Sequence, residues 1–323
     1  MTPGPDDPET APEATPSLLD VLIPHYRDPD GLAAALASIA AQDWLADPAH
    51  RLRVVVVDDG SPRADQAAAS AACDAFAASS GQAVRFDALP ENRGRPAARN
   101  RLLDLARAPY LAWLDAGDIW YPGKLSAQFA RLAALEAEGQ DMARIWVSCA
   151  YDWDQAGTRR PVGQAVAGDQ IRALLAGQDL RAYLWTLLGR AEAFRLAGRF
   201  DPRLPRLQDL DYWLTFLRAG GRITLPDTTA PLCCYFKSDI GRDATQVAAS
   251  YQLILARAAP VIADYPRRFR AGLAHKGWML PARFALANGD RVAAAGYLAR
   301  AALASPGHSL MAAARYLGRR LGR

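Results

Sequence analysis

Lysine is nearly absent. Of 38 basic residues only Lys124, Lys237 and Lys276 are lysines, and the formal net charge over 323 residues is +4. Such arginine and alanine enrichment reads as the compositional bias of a GC-rich bacterial genome. A nucleic-acid partner would call for a clustered basic face, so none is expected. Cysteine is also scarce. Cys73, Cys149, Cys233 and Cys234 form no Cys-x-x-Cys and have no histidine at zinc spacing, which excludes a zinc module and gives no sign of an oxidising compartment. The adjacent Cys233 and Cys234 would point to opposite faces of a strand and pack in a core. His25, His50, His275 and His308 lack partners at metal spacing and read as surface or satisfied histidines. No run approaches 18 apolar residues, so a membrane span is not expected. The start has neither the basic nor the apolar region of a signal peptide, and a cytoplasmic location is the expectation. No Gly-x-Gly-x-x-Gly follows the first strand and there is no phosphate-cradling P-loop, which argues against dehydrogenases and nucleotidyltransferases.

What is present is globular: 51% hydrophobic and 22% charged residues, in a length that forms one large domain or two ordinary ones. Residues 1–17 hold five prolines and four acids with almost nothing apolar, and read as a disordered tail. Order begins with Leu18–Ile23, a strand ended by Pro24. Asp28-Pro29 then supplies an N-cap and first-turn proline for a helix carrying Leu32, Leu36 and Ile39. Leu52–Val57 is a second strand, closed by Asp58-Asp59-Gly60-Ser61. Ser61-Pro62 repeats the cap signal for an Ala-rich helix reaching about Ser79. Ala83–Asp87 is a third strand and Pro96–Ala106 a helix. The stretch Tyr-Leu-Ala-Trp-Leu-Asp-Ala-Gly-Asp at 110–118 is a buried-strand signal with Asp115 and Asp118 at its end. A helix from Pro122 and a strand at Ile145–Ala150 follow. This alternation predicts an α/β fold with a mostly parallel sheet. Right-handed crossovers put the loops after its strands on one edge, where ligands gather.

The middle is less regular: a polar excursion after 150, a helix at Gly168–Ala176, a strand at Ala182–Leu188, a helix at Ala191–Leu196, and an amphipathic helix at Gln208–Arg218. Strands at Arg222–Leu225 and Leu232–Lys237 precede a wholly helical end: Gln246–Ala263, Arg267–Ala287, Arg291–Ala304 and His308–Leu321. The four helices fit two antiparallel pairs resembling a tetratricopeptide hairpin. The last helix joins Leu310, Met311, Leu317 and Leu321 to Arg315, Arg319, Arg320 and Arg323. It reads either as a packed terminal helix or as peripheral contact with an anionic membrane.

Five blocks in order resemble the glycosyltransferase family 2 enzymes of the GT-A fold. They are Val21–Tyr26 (V-L-I-P-H-Y), Val54–Ser61 (V-V-V-V-D-D-G-S), Glu91–Asn100 (E-N-R-G-R-P-A-A-R-N), Leu114–Trp120 (L-D-A-G-D-I-W) and Gln208–Trp213 (Q-D-L-D-Y-W). The resemblance covers residues 18 to about 240 and implies a catalytic domain at 18–243 with a helical extension at 244–323. It implies a Rossmann-like GT-A sheet and an inverting transfer from a UDP-, GDP- or dTDP-linked sugar to a glycan or lipid-linked acceptor, as in bacterial surface polysaccharide synthesis.

The same resemblance implies the site. Pro24, Tyr26, Asp58, Asp59, Arg95, Arg99 and Asp115 would contact the donor. Asp58 and Asp59 would take base N–H and ribose hydroxyl bonds, with Gly60 admitting the ligand close to the backbone. Arg99 reads equally as a base or phosphate contact and as a structural ion pair. Asp115 and Asp118 would hold Mn²⁺ or Mg²⁺, which bind through one or two carboxylates plus substrate phosphate. The family's second acid falls at Gly117, which shifts that role to Asp118. Asp209 matches the base, taking a proton late as the attacking hydroxyl acidifies. Asp211 is a back-up, and Gln208 stands where relatives have Glu. Lys237 or Arg242 would reach the diphosphate from the 238–242 loop; Trp113, Trp120 and Trp213 read as core, with Trp120 close enough to stack on a sugar. With Gly117 and Gln208 as they are, a binding protein that has lost turnover is the alternative.

Overall fold

The computed structural model describes residues 18–236 and 243–321, with side chains as far as Ala314. The 1–17 tail, the Lys237–Arg242 segment and the arginines after Ala314 therefore lie outside the described residues.

Two runs without a polar face stand at the centre: β1 (Leu19–His25) and β2 (Leu52–Asp58), parallel from Leu19↔Leu52 to His25↔Asp58. Between and after them come α1 (Pro29–Ala40), α2 (Arg63–Ser80), β3 (Ala83–Ala88), α3 (Arg95–Leu105) and β4 (Tyr110–Trp113). Then follow β5 (Ile119–Trp120), α4 (Lys124–Ala137), β6 (Ile145–Val147), the hairpin β7 (Tyr151–Gln155) and β8 (Thr158–Val162), and α5 (Gln170–Ala176). β9 (Leu188–Arg190), α6 (Ala191–Ala197), α7 (Gln208–Arg218), β10 (Arg222–Thr224) and β11 (Cys233–Phe236) complete the two sheets. A seven-stranded sheet runs β10-β6-β9-β4-β1-β2-β3, parallel except for β9, which is antiparallel to β4 and β6. A second sheet runs β5-β11-β7-β8.

Strand alternation sorts the core into two layers. Leu19, Val21, Ile23, Val54 and Val56 face a cluster with α1, α2, α4 and part of the second sheet. Leu22, Val55 and Val57 face the opposite cluster, built from α3, α5, α6 and α7. Apolar residues on both faces explain why these strands read as continuous hydrophobic runs.

Four helices end the chain: α8 (Ala244–Ala263), α9 (Arg267–Ala287), α10 (Arg291–Ala304) and α11 (Pro306–Leu321). α9 and α10 pack together across the Gly289 turn, as the expected hairpin. Arg257 fastens α8 to Asp201 and Asp211, and Lys276 Nζ donates to the carbonyls of Leu175 and Ala176 at 2.8 and 2.7 Å.

Several expected boundaries move. β1 continues through Pro24 to His25. Pro24 faces the β4 side, where the ladder has already ended with Leu114 N–H donating to Leu22 O, so its missing N–H leaves no gap. Ser61 does not cap α2, whose N-cap is Pro62. The polar excursion after 150 is the β7–β8 hairpin, turning at Ala156 and Gly157 with φ of +53° and +81°. The strand expected at Ala182–Leu188 is a helical turn at Leu184–Thr186 followed by β9. Trp120 is buried, its indole N–H donating to Trp185 O and its ring under Lys124, so it belongs to the core.

Candidate active site

The loops after β1, β2 and β4 lie side by side on the carboxyl edge of the large sheet. His25 ends β1 and is buried against Asp58, its Nδ1 2.7 Å from Asp58 Oδ2. His25 Nε2 accepts the Asp28 N–H at 3.2 Å, which leaves the proton on Nδ1 to donate to Asp58. Asp58 also accepts the Ser61 N–H at 2.8 Å, the Ser61 hydroxyl at 2.6 Å and Gln66 Nε2 at 3.2 Å. Burial alone would push its carboxyl up, but the bonds from Ser61 and His25 prevail and hold it below the ordinary range. Both oxygens of Asp58 are thus engaged inside the protein. These bonds shape the loop, and Ser61 passes that order on by accepting the Arg27 N–H.

Asp59 is buried beside it and accepts the Arg93 N–H at 2.9 Å, with a further backbone bond from Gly94. Burial raises its carboxyl pKa despite those bonds. Gly60, at φ +69°, lies under the 89–94 loop: a Cβ there would stand 2.1 Å from the Glu91 carbonyl carbon. The close approach that requires glycine is therefore made by the protein's own backbone, not by the ligand expected there.

Arg99 is the hub of the site. It is 1% exposed on α3 and reaches three side chains: Asp209 Oδ1 at 2.6 Å, Gln208 Oε1 at 3.1 Å and both Asp115 oxygens at 3.3 Å. Burial opposes its charge, yet Asp209 and Asp115 outweigh that and raise its pKa. Of the two readings open for Arg99, the geometry gives the ion pair. Gln208 at the family's Glu position spares this one guanidinium a third carboxylate. Asp209 Oδ2 keeps only a long bond from Leu184 N–H, 3.3 Å, and its side chain is 21% exposed.

Asp118 turns back toward Asp115, its N–H donating to Asp115 O at 3.1 Å. Its carboxylate is 5% exposed and accepts Phe236 N–H from β11 at 3.2 Å. Burial first, then the charge of Asp115, pushes its carboxyl well above the ordinary value, while exposed Arg95 at the start of α3 pulls it down. Gly117 between them has φ +92°, and its open side faces Asp28 Oδ2, 3.2 Å from where a Cβ would lie.

Asp115, Asp118, Asp209, Arg95 and Arg99 are therefore one electrostatic group, and Asp59 stands across β1 from Asp115, about two strand spacings or 10 Å away. Pro24, near the end of β1, and Tyr26, just after it, stand on the same edge, Tyr26 42% exposed. Asp211 is not part of it: two residues round the helix from Asp209, it pairs with Arg257 at 3.0 Å. That removes it as a back-up base. Sequence reasoning missed the Leu184 N–H, which carries no local signal, and read Asp28 only as the cap of α1.

The donor set fits a hard divalent cation. Two adjacent carboxylates, one buried and disfavoured as an anion by the other, are what such an ion relieves, its remaining positions going to phosphate and water. Among the described residues no three His, Cys, Asp or Glu side chains are grouped so as to hold a metal ion.

Comparison with known proteins agrees. The model of "Glycosyl transferase family 2" matches residues 20–190. The succinoglycan biosynthesis protein ExoU of Rhizobium meliloti is 36% identical over 112 residues, 35% of this chain and 30% of that protein. The amylovoran biosynthesis glycosyltransferase AmsB of Erwinia amylovora is 27% identical over 212 residues, 64% of this chain and 65% of that protein. The matches thus span less than two thirds of either relative. Among solved structures, the mannosyltransferase PcManGT of Pyrobaculum calidifontis, in complex with GDP-Man and Mn2+, superposes with a TM-score of 0.55 at 21% identity, over 95% of this chain and 82% of that one. S. aureus TarS 1-349 in complex with UDP-GlcNAc gives 0.52 at 14% identity, over 86% and 88%. These likenesses show the fold, a GT-A sheet with helices after it. With the family model matching more than half of its length, the chain belongs to glycosyl transferase family 2.

Proposed function

We propose that the chain is an inverting glycosyltransferase. It moves a sugar from a nucleotide diphosphate to a hydroxyl of a glycan or lipid-linked acceptor in surface polysaccharide assembly. One observation carries this reading: Asp115 and Asp209, from distant parts of the chain, meet on Arg99 at the edge of the sheet. Asp59, Tyr26, Pro24 and Arg95 line the same edge as the donor side, while Asp58 and Arg99 act by holding their neighbours in place. Asp115 and Asp118 would hold Mn²⁺ or Mg²⁺, which when bound stabilises charge on the departing diphosphate.

Asp209 Oδ1 is tied to Arg99, which leaves Oδ2 as the oxygen that accepts a proton. The acceptor oxygen bonds to the anomeric carbon as the bond to the diphosphate breaks on the opposite face. The nucleoside diphosphate leaves with that electron pair, and the hydroxyl proton passes to Oδ2. A carboxylate is far too weak a base to deprotonate a resting alcohol, so the catalytic contribution of Asp209 is position. Support for the donor class comes from the GDP-Man and UDP-GlcNAc complexes of proteins with this fold, and for the setting from the succinoglycan and amylovoran relatives. Among the described residues no helix is long and apolar enough to cross a membrane. Exposed Leu310 and Met311 on α11 support peripheral contact with the inner face.

A thermal-shift screen of UDP-, GDP- and dTDP-sugars with Mn²⁺ tests the reading, because a ligand that binds only the native state raises its stability. The donor so found should be turned over, and Asp209→Asn should keep the shift while losing transfer by about 10³-fold. A second reading, binding without turnover, is favoured by Gly117 in place of the family's acid; stabilisation by a donor with no metal-dependent transfer or hydrolysis would establish it.

A further inference from the structure

Five aromatic side chains stand as one block beside the catalytic acids. Tyr151 and Trp153 on β7 and Tyr235 on β11 share a face of the second sheet, with Tyr235 opposite Trp153 in register. Tyr183 precedes and Trp185 lies within the helical turn that follows α5. The planes are nearly parallel: Tyr183 to Trp185 at 5.0 Å and 21°, Trp185 to Tyr235 at 5.7 Å and 2°, Tyr183 to Tyr235 at 5.9 Å and 22°. Trp153 meets Tyr235 edge-on at 5.3 Å, and Tyr151 braces Tyr183 and Trp185 in the same way from below.

Tyr151 and Trp185 are buried and form the floor, while Trp153, Tyr183 and Tyr235 keep part of their surface open. The backbone brackets this block with the acids. Leu184 N–H, between Tyr183 and Trp185, donates to Asp209 Oδ2, and Phe236 N–H, next to Tyr235, donates to Asp118 Oδ1. Tyr183 and Tyr235 thus stand next in the chain to the backbone groups that bond Asp209 and Asp118, and each keeps part of its surface open.

We propose that Trp153, Tyr183 and Tyr235 form the platform on which a pyranose ring of the acceptor glycan stacks, with its hydroxyl toward Asp209 Oδ2. This rests on the glycosyltransferase reading and narrows its acceptor to a sugar at the point of attack. The chemistry selects the occupant. Flat aromatic faces receive the C–H face of a sugar ring, whereas an isoprenoid chain calls for an aliphatic groove. A rigid stack also holds the ring without paying side-chain entropy on binding.

The test uses the full chain with Mn²⁺ and whichever of UDP, GDP or dTDP stabilises it, and cellobiose as the sugar probe. Saturation-transfer NMR from the aromatic protons should reach the ring C–H protons of cellobiose. Trp153→Ala should weaken cellobiose binding by about tenfold, and Trp153→Phe should restore most of it. Nucleotide stabilisation should be the same in both variants. The proposal is overturned by the absence of saturation transfer to cellobiose, by unchanged binding in both Trp153→Ala and Tyr235→Leu, or by a response to geranyl phosphate alone. If those failures come with intact nucleotide stabilisation, the platform falls and the glycosyltransferase reading stands. A wild-type chain that no nucleotide stabilises removes both.

Discussion

Asp115 and Asp209 share one guanidinium: Arg99, buried on α3, lies 2.6 Å from Asp209 and 3.3 Å from Asp115. The first acid follows β4 and the second opens α7, so this link fixes the separation between the two carboxylates. Arg99→Ala strands two carboxylates around an empty buried space. A loss of about 3 kcal/mol or more is expected, the range for breaking one side of a buried pair. Arg99→Lys keeps the charge but not the fork that serves three side chains at once. It should retain most of the fold and the nucleotide-induced stabilisation while turnover drops. Urea unfolding and initial rates measure the two effects, and equal turnover in Arg99→Lys and wild type would show that the fork is dispensable.

Asp58 gives a pH signature. Its folded-state pKa is depressed, so the folded chain favours the carboxylate more than the unfolded chain does. The stability this adds is fully present above the unfolded value of about 4 and is lost as pH falls through the lower folded value. Asp58→Asn removes that contribution: the variant should be less stable than wild type near neutrality, and the gap should narrow on acidification below about pH 4. Urea midpoints measured at a series of pH values decide it. Parallel curves for the two proteins would mean that the Ser61 and His25 bonds do not select the anion.

The central strands and the acids at their ends were legible because a fully buried strand leaves an unbroken apolar run, and a carboxylate directly after it has nowhere to go but the sheet edge. Val54–Val57 with Asp58-Asp59, and Tyr110–Leu114 with Asp115, are of that kind. The division of labour between Asp58 and Asp59 was not legible, since adjacent side chains of one type differ only in what folds over them. Arg99 stayed ambiguous for the same reason: its role depends on partners 16 and 110 residues away. The β7–β8 hairpin escaped because its turn places Ala156 at φ +53°, which no composition rule marks, and because its polar residues pair across strands, as Asp154 does with Arg159. The aromatic platform gathers residues from three separate segments, so no window of sequence contains it.

Gly117 offers a test of whether the chain has merely lost an acid. Restoring the family's residue by Gly117→Asp looks like a repair, but the structure predicts damage. The position sits at φ +92°, where any side chain is strained by about 1–3 kcal/mol. The new Cβ would also lie 3.2 Å from Asp28 Oδ2, placing two carboxylates together while Asp28 Oδ1 is occupied in capping α1 through Gly31 N–H. Thermal unfolding should show Gly117→Asp destabilised, with no gain in Mn²⁺-dependent stabilisation. Adding Asp28→Asn should recover the part due to charge repulsion and leave the part due to backbone strain. A single Gly117→Asp variant as stable as wild type and tighter for Mn²⁺ would overturn this account and make Asp28 irrelevant to the position.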